Sequence, residues 1–310
     1  MGWARAAVSL AALLARQIAQ TGPVSVAEYM ALCLGHPEHG YYMRRDPLGV
    51  SGDFTTAPEI SQMFGEMLGA SLMTAWEGAG RPAPFLLAEL GPGRGTLMAD
   101  VLRVARAAGA APEVWLIETS PALRARQAAT LSAHAPHWAD RLEALPEAPL
   151  FLIANEFFDA LPIRQFLKGR AGWHEQLVGW EGGPAPVLAP AAPQPLLDRR
   201  HPGAAPGTVV ETCAAGEAVA AEIGRRLAAR PGAAILIDYG AWEGTGDTLQ
   251  AVSRHAPADP FARPGEVDLT AHVAFRPLAE AAVAEGAGAS ALVPQGVLLE
   301  RLGITARAHR

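Results

Sequence analysis

Glu89-Leu90-Gly91-Pro92-Gly93-Arg94-Gly95 combines a carboxylate with three alternating glycines. Glycine lets the backbone approach a ligand closely and adopt positive φ. A helix starting at Thr96 would turn its unpaired N–H groups toward the same place. Glu118 lies 27 residues beyond Gly91, at the end of the next apolar run. A carboxylate there can accept hydrogen bonds from both hydroxyls of a ribose. The chemistry these residues suit is the binding of a nucleoside-bearing ligand.

Two such ligands compete. A dinucleotide loop has the spacing G-x-G-x-x-G, but here the third glycine comes one position early. Glu89, two places before Gly91, would repel a pyrophosphate and suits the ammonium of a methionine moiety. The pattern therefore favours S-adenosylmethionine over NAD, leaving a dehydrogenase as the lesser alternative and a ligand-free turn as the bland one. A further element, Asn155-Glu156-Phe157-Phe158-Asp159-Ala160-Leu161-Pro162, follows the apolar run Leu150–Ala154. Polar groups at such a strand end face the ligand crevice of an open α/β sheet. Phe157 and Phe158 either pack on the nucleotide, wall the acceptor, or belong to the core.

The elements that must position these groups are legible. Phe85–Leu90, Val114–Glu118, Leu150–Ala154 and Ala234–Asp238 are short apolar runs of the kind that form buried parallel strands. Thr96–Ala108 has helical spacing. Ser120 and Pro121 open another helix, as N-cap and N1, that runs to about Leu131. Alternation of strand and helix predicts a parallel α/β sheet. Ile163–Trp180, broken at Lys168-Gly169-Arg170, reads as a β-hairpin. The proline- and alanine-rich stretch from Gly183 to Pro206 reads as a surface loop or insertion. A last helix is expected near Val297–Leu302. Residues 1–80 look helical and loop-rich, and residues 81–310 form the expected catalytic domain with an insertion at about 163–210. Near the N-terminus, Leu10-Leu13-Leu14-Ile18 predicts an amphipathic helix stopped by Gly22-Pro23, although Ala6–Ala15 also resembles a short signal-peptide core.

Composition narrows the class. With 310 residues, half of them apolar, and a net charge of −6, a large core is available and a dedicated nucleic-acid binder is disfavoured. Lys168 is the only lysine and Asn155 the only asparagine. Lys168 precedes Gly169, so no Walker A loop exists. Cys33 and Cys213 lie far apart and read as reduced, core-type cysteines. No apolar run reaches the length of a membrane span. His36-x-x-His39 and His134-x-x-His137 lack the context of a metal site, so no metal is expected. No G-x-S-x-G nucleophile elbow is present.

Gly40-Tyr41-Tyr42, Gly52 to Gln62, the Glu89–Leu97 loop, Asn155–Pro162, Asp238-Tyr239-Gly240 and Asp268 to Val273 occur in an order that resembles the MidA family. Its members are relatives of a mitochondrial complex I assembly factor that methylates protein arginine. The resemblance spans roughly residues 20–305. It implies a class I, Rossmann-like methyltransferase with a seven-stranded, mostly parallel sheet, an N-terminal helical and lid region, and an inserted hairpin. It implies S-adenosylmethionine as methyl donor, bound by Asp53, Phe54, Glu89, Gly91, Gly93, Gly95, Glu118 and Asn155. The implied acceptor is a protein arginine, as on a quinone-proximal subunit of NADH dehydrogenase.

Asn155, Glu156 and Asp159 are the candidates beside the transfer point, and Glu59 is a further acid on the loop from Gly52, read as a lid. His272 is either an acceptor-site group or a satisfied buried histidine. An assembly chaperone that binds S-adenosylmethionine without turnover is the rival reading. The expected location is the bacterial cytoplasm, or the mitochondrial matrix in a eukaryote, with no membrane insertion and an oligomer compatible with the pattern.

Overall fold

Leu86–Leu90 (β1), Glu113–Ile117 (β2), His137–Ala139 (β3), Leu150–Asn155 (β4) and Gly232–Ile237 (β5) form one parallel sheet in the order β5-β4-β1-β2-β3. The computed structural model describes residues 9–44, 57–253 and 256–308. β1 and β4 are buried along their whole length, which is why, Glu89 and Asn155 apart, their sequences are apolar without alternation. Among the described residues this sheet has five strands rather than the expected seven. β3 had no sequence signal, because three residues reading His-Trp-Ala are too short to show a period.

Helix Gln62–Gly78 (α1) precedes β1, and helices Thr96–Ala107 (α2) and Pro121–Thr130 (α3) join β1 to β2 and β2 to β3. α1 and α2 bury Phe64, Leu68, Leu72, Leu97, Val101 and Leu102 in one core with Leu87, Leu116, Phe151 and Ile153 of the sheet. Phe85 stands edge-on to Phe151, ring centroids 5.6 Å apart, and tilts against Trp76 at 5.5 Å. α3 starts at Ser120 as expected, its hydroxyl accepting the Leu123 N–H at 3.4 Å.

The chain divides into two compact units. The sheet unit is Asp46–Asp159, Ala215–Trp242 and Phe275–Arg310; the other is Met1–Arg45, Ala160–Ala214 and Glu243–Ala274. This division does not coincide with a cut at residue 80. α1 shares its apolar face with the sheet core, and a helix belongs with the surface that covers it.

The second unit is antiparallel. The expected hairpin is present as Arg164–Lys168 and Trp173–Trp180. Gly183–Pro206 is not simply a loop: Pro184–Leu188 adds a strand against Trp173–Trp180, and Pro195–Arg200 is a helix. Proline is tolerated there because an edge strand can do without some of its ladder donors. The first helix runs Leu10–Thr21, capped by Ser9 and ended by Gly22 at φ 85°. No helix among the described residues is long and apolar enough to cross a membrane.

Candidate active site

The sheet order has a reversal between β1 and β4, and ligands of open α/β sheets sit beyond the strand carboxyl ends at such a point. Register brings the relevant ends level. Leu90 lies beside Ile117 on one side and Ala154 on the other, and Asn155 lies beside Ile237. The Glu89–Gly95 loop, Glu118, the Asn155–Asp159 turn and Asp238 therefore emerge at one edge of the sheet.

Gly91, Gly93 and Gly95 have φ of 60°, 53° and 83°, values that L side chains adopt only at a cost. Gly95 is the N-cap of α2 and contributes no side-chain cap. The loop is held by Gly91 N–H to Ile117 O at 3.1 Å and Gly95 N–H to Pro92 O at 2.7 Å. A Cβ on Gly91 would fall 2.9 Å from Cδ2 of Phe157, so the glycine loop and the Asn155–Asp159 turn pack against each other.

Glu89 is 3% exposed, and its Oε2 has no hydrogen-bond partner. Burial pushes its carboxyl up to about 8, partly countered by the Met98 N–H. A buried acid with an unused oxygen suits a cationic ligand group, which would stabilise the ionised form. This orphaned atom and the closely packed glycine cradle fit S-adenosylmethionine, with its methionine ammonium, better than a pyrophosphate.

Glu118 is fixed on both oxygens. Oε1 accepts the Ser120 N–H at 2.7 Å, and Oε2 accepts Nε2 of Gln127 at 3.2 Å. Burial raises its pKa, while these bonds lower it. The same Gln127 nitrogen donates to Gly93 O at 2.8 Å, and its Oε1 accepts Nε1 of Trp138 at 2.8 Å. One buried amide thus ties the glycine loop to the ribose-side acid. Sequence reasoning missed Gln127. The available signal was a polar residue one turn after Leu123, on the buried stripe of α3.

At the end of β4, Asn155 is 8% exposed with Oδ1 unpartnered, and its Nδ2 lies 3.4 Å from Oε1 of Glu156. Glu156 takes φ 51°, and its N–H donates to Ile237 O at 2.9 Å. Non-glycine residues rarely sit there, and such strain clusters at functional sites. Asp238 holds the turn: Oδ2 accepts the N–H groups of Phe158 and Asp159 at 2.9 and 3.2 Å, and Oδ1 that of Tyr239 at 2.8 Å. Burial pushes Asp238 up to about 6, against the pull of these N–H groups. Sequence reasoning placed Asp238 at a strand end and in the Asp238-Tyr239-Gly240 motif but assigned it no role; a carboxylate at that register position, like Glu118, was the missed signal. Phe157 and Phe158 meet edge to face at 5.3 Å. Phe158 is buried core, and Phe157 lies under Gly91.

Other candidates fall elsewhere. Asp53 and Phe54, with most of the expected lid, lie outside the described residues. Glu59 accepts from Oγ1 of Thr96 at 2.7 Å and faces Arg94 at 3.7 Å, contacts to side chains at the start of α2. His36 and His39 stack at 4.9 Å, with Nδ1 of His36 accepting backbone N–H groups. His137 stacks on Trp115. Among the described residues no cluster of three metal-ligand side chains occurs. His272 donates its backbone N–H to Oγ1 of Thr248. The Tyr42 and Asp268 motifs meet in the second unit, Tyr42 donating to the Asp268 carboxylate at 2.7 Å.

Comparison with known proteins agrees with this geometry. The model of a family of S-adenosyl-L-methionine-dependent methyltransferases matches residues 67–294. The chain is 36% identical over 329 residues to protein arginine methyltransferase NDUFAF7, mitochondrial, of Rattus norvegicus, covering 94% of this chain and 73% of that one. It is 36% identical over 332 residues to the Drosophila melanogaster homologue, covering 96% and 76%. A Burkholderia thailandensis crystal structure with S-adenosyl-homocysteine bound superposes with TM-score 0.84 at 31% identity, covering 97% of this chain and 82% of that one. A second structure from that organism gives TM-score 0.81 at 33% identity, covering 97% and 81%. The cofactor is therefore S-adenosylmethionine and not NAD, and the chain belongs to this family of S-adenosylmethionine-dependent methyltransferases.

Proposed function

We propose that the chain methylates an arginine side chain of a protein substrate. The observation that carries this reading is the Asn155–Asp159 turn: an unpartnered buried amide oxygen on Asn155, whose nitrogen end meets Glu156, with a second acid, Asp159, three residues further on, at the strand end that touches the glycine loop. The relatives named protein arginine methyltransferase support the same acceptor.

In this reading Glu89 takes the methionine ammonium, and the backbone of Gly91, Gly93 and Gly95 lies along the methionine. Glu118 takes the ribose hydroxyls, and Asn155 borders both donor and acceptor. Asp53 and Phe54, on the lid from Gly52, complete the cofactor set, and the seven-stranded sheet is part of the same expectation. Bound S-adenosylmethionine supplies a methyl group on a sulfonium: the S–CH3 bond breaks as an N–CH3 bond forms, leaving a thioether, and the nitrogen sheds a proton.

The chain's task is orientation. Holding reactants in line contributes about 7–11 kcal/mol in well-aligned cases. A guanidinium is permanently protonated and a poor nucleophile. Glu156 and Asp159 accept its N–H groups, localise its charge away from the attacking nitrogen, and one of them receives the proton. Oδ1 of Asn155 accepts a further N–H and fixes the plane.

A quinone-proximal subunit of NADH dehydrogenase, in the bacterial cytoplasm or the mitochondrial matrix, is the acceptor the resemblance implies. The test is to incubate purified protein and labelled S-adenosylmethionine with extract from a strain lacking the chain, then analyse hydrolysed protein for methylarginine. Label in methylarginine is expected, and separating the labelled extract by size before hydrolysis should place it on such a subunit. Cofactor binding with no transfer would make the chain an assembly chaperone instead.

A further inference from the structure

Tyr239 follows Asp238 at the end of β5 and is 60% exposed. Its base is nonetheless fixed. The Tyr239 N–H donates to the carboxylate that also holds the N–H groups of Phe158 and Asp159. The Asn155–Ile237 register sets Tyr239 alongside the turn that carries Glu156 and Asp159. The charge of Glu156, then burial, then the charges of Asp159 and Asp238 raise the phenol's pKa, so carboxylates stand within electrostatic reach of the ring.

A second observation is independent of that field. The Asn155 amide directs its nitrogen toward Glu156, and the reverse orientation would set its oxygen against a carboxylate. Its oxygen end is therefore fixed, buried and without a donor. A buried unmet acceptor costs free energy until a donor arrives. Ring face, acids and amide oxygen together complement a flat cation with many N–H groups. A guanidinium offers five donors in a plane and stacks on aromatic rings, whereas an ammonium is compact and does neither.

We propose that Tyr239 is the specificity-determining residue on the acceptor side, stacking on the guanidinium that Glu156, Asp159 and Asn155 hold by its edge and selecting arginine over lysine. This rests on the arginine reading above.

The test uses labelled S-adenosylmethionine, serial dilutions of extract from a strain lacking the chain, and hydrolysis to separate methylarginine from methyllysine. Tyr239→Leu is expected to lower methylarginine formation at limiting extract by about tenfold, between the size of an exposed and of a desolvated cation–π contact. Tyr239→Phe, which keeps the ring, is expected to recover activity to within about threefold of wild type. S-adenosylhomocysteine should bind all three proteins with the same Kd by calorimetry. If wild type forms no methylarginine, the arginine reading fails. If wild type forms it and Tyr239→Leu keeps more than half the rate, the Tyr239 assignment alone fails. Equal losses in Leu and Phe variants, or weakened S-adenosylhomocysteine binding in Leu, would also overturn it, since the ring would not be what matters.

Discussion

Asp238 follows the end of β5, Asp159 lies in the turn after the adjacent β4, and the carboxylate of the first accepts the backbone N–H of the second at 3.2 Å. The bond to Phe158 and the one to Tyr239 complete an anion held by backbone donors. Asp238 thus holds the Phe158–Asp159 part of the turn, while Ile237 O holds Glu156.

Asp238→Asn keeps the size but turns an N–H2 toward backbone N–H groups that need an acceptor. We expect kcat to fall about 10- to 100-fold, as for a misplaced reactant, with S-adenosylhomocysteine affinity nearly unchanged. Burial raises the Asp238 pKa to about 6, so the acid that holds the turn protonates as pH falls through that value. The wild-type rate should therefore decline below about pH 6. A pH–rate profile with no such limb, or the same limb in Asp238→Asn, would exclude this role.

Glu89 makes cofactor binding depend on pH. Its carboxyl is raised to about 8, and a bound ammonium requires the ionised form. Below pH 8, binding must release a proton, so affinity should climb with pH toward about 8, above which the ligand's own ammonium loses its charge. The sign for the ligand-free fold is opposite. A raised carboxyl pKa favours folding fully below the ordinary carboxylate value of 4.5, and that contribution is lost as pH rises through about 8. Calorimetry at pH 7 in buffers of different ionisation enthalpy should count the released proton. Glu89→Gln should release none and bind more weakly.

Gly91 takes φ 60° with Phe157 beneath it. Gly91→Ala should weaken S-adenosylhomocysteine binding, through about 1–2 kcal/mol of backbone strain and the clash with the ring. Adding Phe157→Ala relieves the clash but not the strain, so the double variant should bind better than Gly91→Ala alone. If the second substitution only worsens binding, the contact is not what limits the loop.

Gln127 has partners in Gly93, Glu118 and Trp138. Gln127→Leu leaves buried polar atoms unmatched, at about 1–3 kcal/mol for such a group. A lower Tm is expected, together with a smaller rise in Tm on adding S-adenosylhomocysteine, because the variant loses the tie between loop and acid. An unchanged ligand-induced rise would limit Gln127 to stability.

The sequence by itself determined four strands and two helices of the sheet unit, because β1 and β4 are mostly apolar runs and helix α3 carries its own cap. It also determined the cofactor, since alternating glycines after a strand and an acid two places before them are local features. Local pattern did not reveal β3, the proline-bearing edge strand Pro184–Leu188, or the interleaving of the two units. Each depends on pairing with residues far along the chain. The roles of Gln127 and Asp238 were invisible for the same reason. Their hydrogen-bond partners lie 9 and 34 residues away for Gln127, and 79 and 80 residues away for Asp238. Asn155, the sole asparagine, was visible from the start. Only the folded sheet decided that one end of its amide faces Glu156 while the other is left without a donor.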